Sequence, residues 1–293
     1  MVGSGDVPVK YFAALWVSVP AVLCALSLGV TGESFDENGP RPDEGVSASA
    51  AFPIEGPYHY KVEYLGITCG HMTLESRLEE YRGRAAYHVV MTACNSKFFN
   101  KIYRVDGRID SWVDSETMCT LAYESDITEK GRRKIRRYDI DHEKGVVRAE
   151  KHGKVKKVSY EGGPALDPLA YVFRGRMLAG GPGSAFDLNL LTDRGVIDTE
   201  TRVGGLEKFD TADGKKELLR MQPLTTDGEM FSRKGEFVYW IEPNSGRKLY
   251  RLDFKLGFGR LLAKYTGPAE GPVDRRSEED KTDSGPANEK AAD

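Results

Sequence analysis

From residue 58 to residue 265 the apolar positions recur mostly every second residue, the period of a half-buried strand. In 58–65 (YHYKVEYL), Tyr58, Tyr60, Val62 and Tyr64 share one face. Met72, Leu74 and Leu78 alternate with His71, Thr73, Glu75 and Arg77; Tyr-Arg-Gly-Arg then makes a turn, and 85–94 returns with Tyr87, Val89 and Met91 on one face. Further strands are predicted over 102–112, 117–125, 132–141, 145–152 and 155–160. A second run covers 185–191, 196–203, 208–210, 216–222, 237–241, 248–254 and 259–265. Ala-Asp-Gly-Lys and Glu-Pro-Asn-Ser-Gly are turn sequences that separate them. No internal repeat of fixed period is present.

Between the two runs the pattern breaks. Asp167 is a good N-cap, Pro168 suits the first helical position, and Gly180-Gly181 can end a helix. Leu169, Val172, Phe173, Met177 and Leu178 would form its apolar face. The fold expected is mainly β: an antiparallel, strongly curved sheet or incomplete barrel, with one helix packed across it.

The first hairpin can be tested for register. Setting Met72 opposite Met91 and Leu74 opposite Val89 buries both pairs together, and a slip of one residue would reverse the faces. The same register sets Cys69 opposite Cys94, on the other side from the methionines. A disulfide between them is expected, the alternative being two thiols that are merely near each other. Cys119 would then be the unpaired thiol, packed rather than reactive.

The ends of the chain differ from its middle. Residues 11–30 (YFAALWVSVPAVLCALSLGV) carry no charge. Twenty helical residues span roughly 30 Å, the thickness of the bilayer hydrocarbon. The stretch reads as a cleaved signal peptide, with Ser27 and Gly29 at the peptidase positions, or as a retained anchor, which Pro20 would kink. In the second case residues 11–30 would hold the protein to the membrane. Residues 31–52 read as a disordered linker, 53–266 as one β-rich extracytoplasmic domain, and 267–293 as a disordered tail, because both flanks are too poor in apolar side chains to order themselves. Export places the domain in an oxidising compartment, in which a disulfide persists.

The net charge of -3 argues against a nucleic-acid partner. Positive charge is nevertheless concentrated in two runs, KGRRKIRR and KHGKVKK. Arg132, Arg133, Lys134, Arg136, Arg137, Lys154, Lys156 and Lys157 form a candidate patch for an anionic ligand, against the plainer reading of a solvated hairpin. Phe98, Phe99, Tyr103, Trp112 and Trp240 are candidates to face an apolar ligand on a concave sheet, against the plainer reading of an ordinary core. Asp106, Asp110 and Asp114 lack the spacing of a calcium loop. The Gly-rich stretch 179–185 has no Lys-Ser/Thr ending, so it is not a phosphate-binding loop. No catalytic or metal-ligand spacing stands out, and no cofactor is expected.

Several segments, taken in order, resemble an envelope family catalogued as domain of unknown function 3108. They are Tyr64-Leu65-Gly66-Ile67 with Gly70; Phe98-Phe99-Asn100-Lys101-Ile102-Tyr103-Arg104-Val105-Asp106-Gly107; Asp167-Pro168-Leu169 with Arg174; Gly235-Glu236-Phe237-Val238-Tyr239-Trp240-Ile241; Arg247-Lys248; and Gly257. The resemblance covers roughly 55–265 and implies an exported β-rich protein of Gram-negative bacteria, in the periplasm or cell envelope. It supplies no catalytic residues to carry over. The long basic meander of 130–157 and the acidic tail depart from its commonest pattern. The expectation is a non-enzymatic binder of a lipid, lipoprotein or other amphipathic ligand. Its alternatives are a membrane-tethered interaction protein that docks another envelope protein, and an unrecognised enzyme.

Overall fold

The computed structural model describes residues 53–268, apart from 55, 101–104, 130, 152, 162, 193–194, 226–235 and 257–258. The segment 1–30, the linker 31–52, the tail beyond Pro268 and Tyr103 therefore lie outside the described residues.

The period-two segments form strands, and with the two-residue Ala165–Leu166, which the alternation did not predict, fifteen strands join in a single sheet among the described residues. The first eight are β1 (Tyr58–Tyr64), β2 (Ile67–Tyr81), β3 (Arg84–Asn95), β4 (Val105–Asp114), β5 (Thr120–Glu129), β6 (Arg132–Asp141), β7 (Val146–Lys151) and β8 (Lys154–Ser159). The rest are β9 (Ala165–Leu166), β10 (Ala185–Thr192), β11 (Gly195–Thr211), β12 (Gly214–Thr225), β13 (Glu236–Ile241), β14 (Leu249–Leu256) and β15 (Gly259–Pro268). Their spatial order runs from β8 down to β1, then from β15 down to β9. The first and last strands thus pair at the centre of the sheet, and β8 and β9 are its two edges. Neighbours are antiparallel except β9 and β10.

Two helices accompany the sheet. The short α1 (Lys97–Asn100) follows β3 where a strand-free connection was expected. The expected helix is α2 (Pro168–Leu178), with Asp167 as its N-cap accepting from the amides of Leu169 and Ala170. It is buried on nearly all sides: Ala170, Tyr171, Gly175 and Arg176 are covered as well as the apolar face read from the sequence. An amphipathic helix lying on a sheet would keep one polar face in water. This helix instead lies within the bend of the sheet and touches both of its halves. Asp167 bonds to Ser111 of β4 and Thr120 of β5, while the Tyr171 hydroxyl meets Thr199 and Thr201 of β11 at 2.8 and 2.7 Å. Those four partners come from strands far apart in the sheet order, so the sheet must curl to bring them to one helix. The result is an open, strongly curved sheet.

The hairpin β2–β3 corrects the predicted register. Met72 faces Ala93 and Leu74 faces Met91, a slide of two residues that keeps the buried faces and changes every partner. The slide follows from the turn. Arg82 and Gly83 both have positive φ, 54° and 79°, as a two-residue hairpin loop of the inverted type requires, and that loop sets Tyr81 opposite Arg84. Cys94 then faces His71. Cys69 is the extra residue of a bulge against β1, between Thr68, which faces Glu63, and Gly70, which faces Val62. The bulge turns Cys69 into the core, where its thiol lies 3.5 Å from the Val62 carbonyl. Cys94 stays on the outer face, so no disulfide joins the two, and Cys119 is likewise a thiol. The expected bond is thereby replaced by two sulfurs on opposite sides of the sheet.

A second difference is β11. The expected strands 196–203 and 208–210 are one strand, bent at a bulge between Val203 and Leu206 that contains Gly204 and Gly205.

Candidate functional site

The basic meander β6–β7–β8 divides its charges between two faces, and the division follows from register. Tyr138 of β6 faces Tyr123 of β5, and both belong to the core, with rings stacked at 5.6 Å. Alternation from Tyr138 puts Arg136, Lys134 and Arg132 on that same inner side and Arg137 and Arg133 on the outer side. Across β7, Ile140 faces Val147, Tyr138 faces Ala149 and Arg136 faces Lys151. Across β8, Lys151 faces Lys154 and Ala149 faces Lys156, while Lys157 faces Arg148 on the outer side.

The outer cations are neutralised by β5. Arg137 grips Glu124 with two bonds of 2.9 and 3.1 Å, and Arg133 grips Asp126 in the same bidentate manner. These bonds raise the pKa of both guanidinium groups. The inner side carries Arg132, Lys134, Arg136, Lys151, Lys154 and Lys156 over three adjacent strands. Lys134 is paired with Glu129. Arg132, Lys154 and Lys156 are exposed, while Lys134, Arg136 and Lys151 are half-buried. Neighbouring strands lie about 4.8 Å apart, so like charges on adjacent strands repel one another. Toward the other end of the same strands the inner side turns apolar at Tyr138, Ile140 and Val147. Lys151 is the member that sequence reading missed. It lies in the second basic run, and its place on the inner face could not be assigned before the register was known.

Among the described residues, the apolar candidates are not brought together. Trp112 alternates with Ser111 and Val113 and so faces outward, sandwiched between Tyr81 at 4.8 Å and His88 at 4.6 Å. Its indole N–H donates to Glu79 at 3.0 Å. His88 is held between Asp110 at 2.8 Å and Arg77 at 2.6 Å, which with Arg77 donating makes the Arg77-facing nitrogen the acceptor. Trp240 also faces outward, against Phe209, with Arg251 over its ring and its N–H donating to Glu207. Phe98 is exposed and meets half-buried Phe99 edge to face at 5.4 Å. Hence Trp112 and Trp240 do not line the concave face; alternation sends them to the outer one.

The inner face near α2 is filled by the helix and its polar anchors. Burial pushes the Tyr171 hydroxyl up to about 12 and raises the Asp167 carboxyl above the usual range. Arg176 is fully buried, donating to the Arg247 carbonyl at 2.7 Å with its guanidinium over the Phe173 ring. Asp110 belongs to the outer cluster around Trp112, and Asp114 accepts from two turn amides and pairs with Arg84. Among the described residues, no His, Cys, Asp and Glu group is arranged to hold a metal ion. Nor is any described helix long and apolar enough to cross a membrane.

Comparison with known proteins agrees with this architecture. The sequence profile of the family described as "Protein of unknown function (DUF3108)" matches residues 59–266. No curated protein matches the chain. Among solved structures, a beta-barrel-like protein of domain of unknown function DUF1849 from Brucella abortus superposes with a TM-score of 0.51 at 13% identity, covering 72% of this chain and 95% of that one. That likeness shows the fold. A lipoprotein candidate from Parabacteroides distasonis gives a TM-score of 0.31 at 9% identity, covering 75% of this chain and 99% of that one. An exported-protein candidate with YmcC-like fold from Bacteroides fragilis gives 0.28 at 10% identity, with the same coverage.

Proposed function

Because the chain belongs to the DUF3108 family, whose description assigns no activity, we propose from its own geometry that it is a non-enzymatic envelope protein that binds an anionic amphipathic ligand, a lipid or a lipoprotein, on the inner side of β6–β8. The observation that carries this reading is the gathering of Arg132, Lys134, Arg136, Lys151, Lys154 and Lys156 on one face of three adjacent strands. On the outer side of the same meander Arg133 and Arg137 hold Asp126 and Glu124, and on the inner side Lys134 holds Glu129, so cations outnumber the acids paired with them on this face. An anion that neutralises several of these cations at once would relieve their mutual repulsion, and arginine can grip a phosphate or carboxylate in a bidentate way. The apolar continuation of the same face, Tyr138, Ile140 and Val147, is buried in the core, so the support for a lipid-like rather than purely ionic ligand is the envelope location. Residues 11–30 support an envelope location, as a signal peptide or an anchor.

Docking of another strand on the sheet is the weaker alternative. One edge, β9, is two residues long, and the other, β8, carries Lys154, Lys156 and Lys157. Short edges and edge lysines are devices that discourage strand addition.

Native mass spectrometry of the chain recovered from an expression host without detergent tests the reading. A bound mass that dissociates as an anionic lipid, and that disappears in Arg136→Glu/Lys156→Glu, is expected. An apo mass unchanged after phosphatidylglycerol is offered would overturn it.

A further inference from the structure

The direction of each strand assigns every connection to one of two rims. One rim carries the β1–β2 turn, α1, the β5–β6 turn and the β7–β8 turn. Leu65 and Ile67 flank the tip of the first of these and are 66% and 54% exposed. Phe98 of α1 is 67% exposed, and it lies beside them because the Ser96 amide bonds to the Cys69 carbonyl at 2.9 Å. Val155, 51% exposed, follows the β7–β8 turn directly. Four of the seven large apolar side chains exposed among the described residues thus share this rim. Singly scattered surface apolar residues need no explanation, but a concentration at one end does.

Leu65 adds a second observation. Its φ is 49°, in the left-handed region that costs a residue with a Cβ roughly 1–2 kcal/mol. Asn or Gly would hold the same turn without that cost. Burial does not compensate a leucine that is two-thirds in water. Cations flank the apolar tips: Arg132 and Arg133 leave the β5–β6 turn, and Lys151 and Lys154 bracket the β7–β8 turn. From β8 to β2 there are six strand spacings, roughly 30 Å along the rim.

We propose that this rim docks on an anionic bilayer, with Leu65, Ile67 and Phe98 inserted among the headgroups and Arg132 and Lys154 against lipid phosphates. Apolar tips beside a basic margin are complementary to a negatively charged headgroup layer. A protein partner for the apolar tips alone would not call for the flanking cations. The inference goes beyond ligand binding on the inner face, because it concerns the sheet's end and brings in Leu65, Ile67 and Phe98, sharing with the inner face only Arg132 and Lys154.

Hydrogen–deuterium exchange of the full-length chain with vesicles tests it, using phosphatidylcholine alone and an equal mixture with phosphatidylglycerol. Amides of 65–67 and 97–99 are expected to slow with the mixture and to recover when salt is added. Leu65→Ser/Phe98→Ser should abolish the slowing, and Lys154→Glu should weaken the vesicle affinity read from it by at least roughly fivefold. Leu78→Ser, an exposed apolar side chain near the opposite rim, serves as the control and should change neither. Equal slowing with both vesicles would overturn the proposal, since insertion of residues 11–30 needs no anionic lipid. So would slowing without vesicles at high protein concentration, which would make the rim an interface between two copies. Absence of slowing at this rim, even with a lipid mass bound in the spectrometer, would reject docking and leave the ligand reading standing.

Discussion

The Ser111 hydroxyl of β4 donates to the Asp167 carboxylate at 2.5 Å, across 56 residues of sequence. The same oxygen accepts from Thr120 at 2.8 Å, and its partner oxygen caps α2. One carboxylate therefore fixes the start of the helix to strands that belong to the other half of the sheet. It contributes both a local cap and a long-range tie.

Asp167→Ala should lower the unfolding free energy by about 3 kcal/mol, since it removes the cap and leaves two buried hydroxyls without their acceptor. Urea unfolding measures this. A loss below about 1 kcal/mol would mean that water replaces the carboxylate.

Asp167 also predicts a pH dependence. Burial raises its folded-state pKa above the ordinary 3.8. Between those two values the folded state holds more protons than the unfolded state, so stability falls as pH rises through the window. The contribution is present below the ordinary value and is lost above the raised one. Asp167→Asn should flatten this component of the stability–pH curve above pH 3.8, and a curve of unchanged slope would assign the dependence to other groups.

Gly175 of α2 lies against Tyr239 of β13 so closely that an added Cβ would collide with the tyrosine hydroxyl. That hydroxyl is buried without a hydrogen-bond partner. Gly175→Ala should cost about 1–2 kcal/mol, overpacking outweighing the gain in helix propensity. Tyr239→Phe should be nearly neutral, and the double variant should recover most of the loss. Additive costs in the double-mutant cycle would show that the two positions do not clash.

The cysteines should react unequally. Cys94 is half-buried on the outer face, whereas Cys69 and Cys119 are buried. Burial also raises the Cys119 pKa, which lowers its thiolate fraction. Maleimide labelling of the folded chain, resolved by peptide mass, should among Cys69, Cys94 and Cys119 modify Cys94 first and the other two only in denaturant. Recovery of a Cys69–Cys94 linked peptide from oxidised protein would contradict their placement on opposite sides.

Arg82 has positive φ in the β2–β3 turn, which asparagine tolerates better. Its ion pair with Asp139 is solvent-exposed and worth little. Arg82→Asn should therefore raise stability by about 0.5 kcal/mol. A lower melting midpoint would show that the pair, together with the guanidinium over the Tyr81 ring, outweighs the turn.

How much of this was legible in the sequence depends on the range of the interaction that decides it. Strand identity was, because alternation such as Tyr58-Tyr60-Val62-Tyr64 is set by each residue's own side of the pleat. The start of α2 was, because Asp167-Pro168 satisfies helix geometry locally. The family resemblance rested on short segments in order and proved correct over 59–266. Absolute register was harder: burial fixes faces modulo two residues, so Met72 opposite Met91 looked as good as the observed Met72 opposite Ala93. Counting outward from Tyr-Arg-Gly-Arg as a two-residue loop would have resolved it. The bulge that turns Cys69 inward leaves no such mark, since the extra residue appears only when β1 pairs with β2. The same holds for the candidate surface. The sequence determined that positive charge is dense over 130–157 and that aromatic residues are plentiful. Only the tertiary structure decided which cations share the inner face, that acids of β5 neutralise the others, and that Trp112 and Trp240 look outward. Those outcomes depend on partners dozens of residues away, and a side chain's face acquires meaning only once the sheet has curled and given itself an inside.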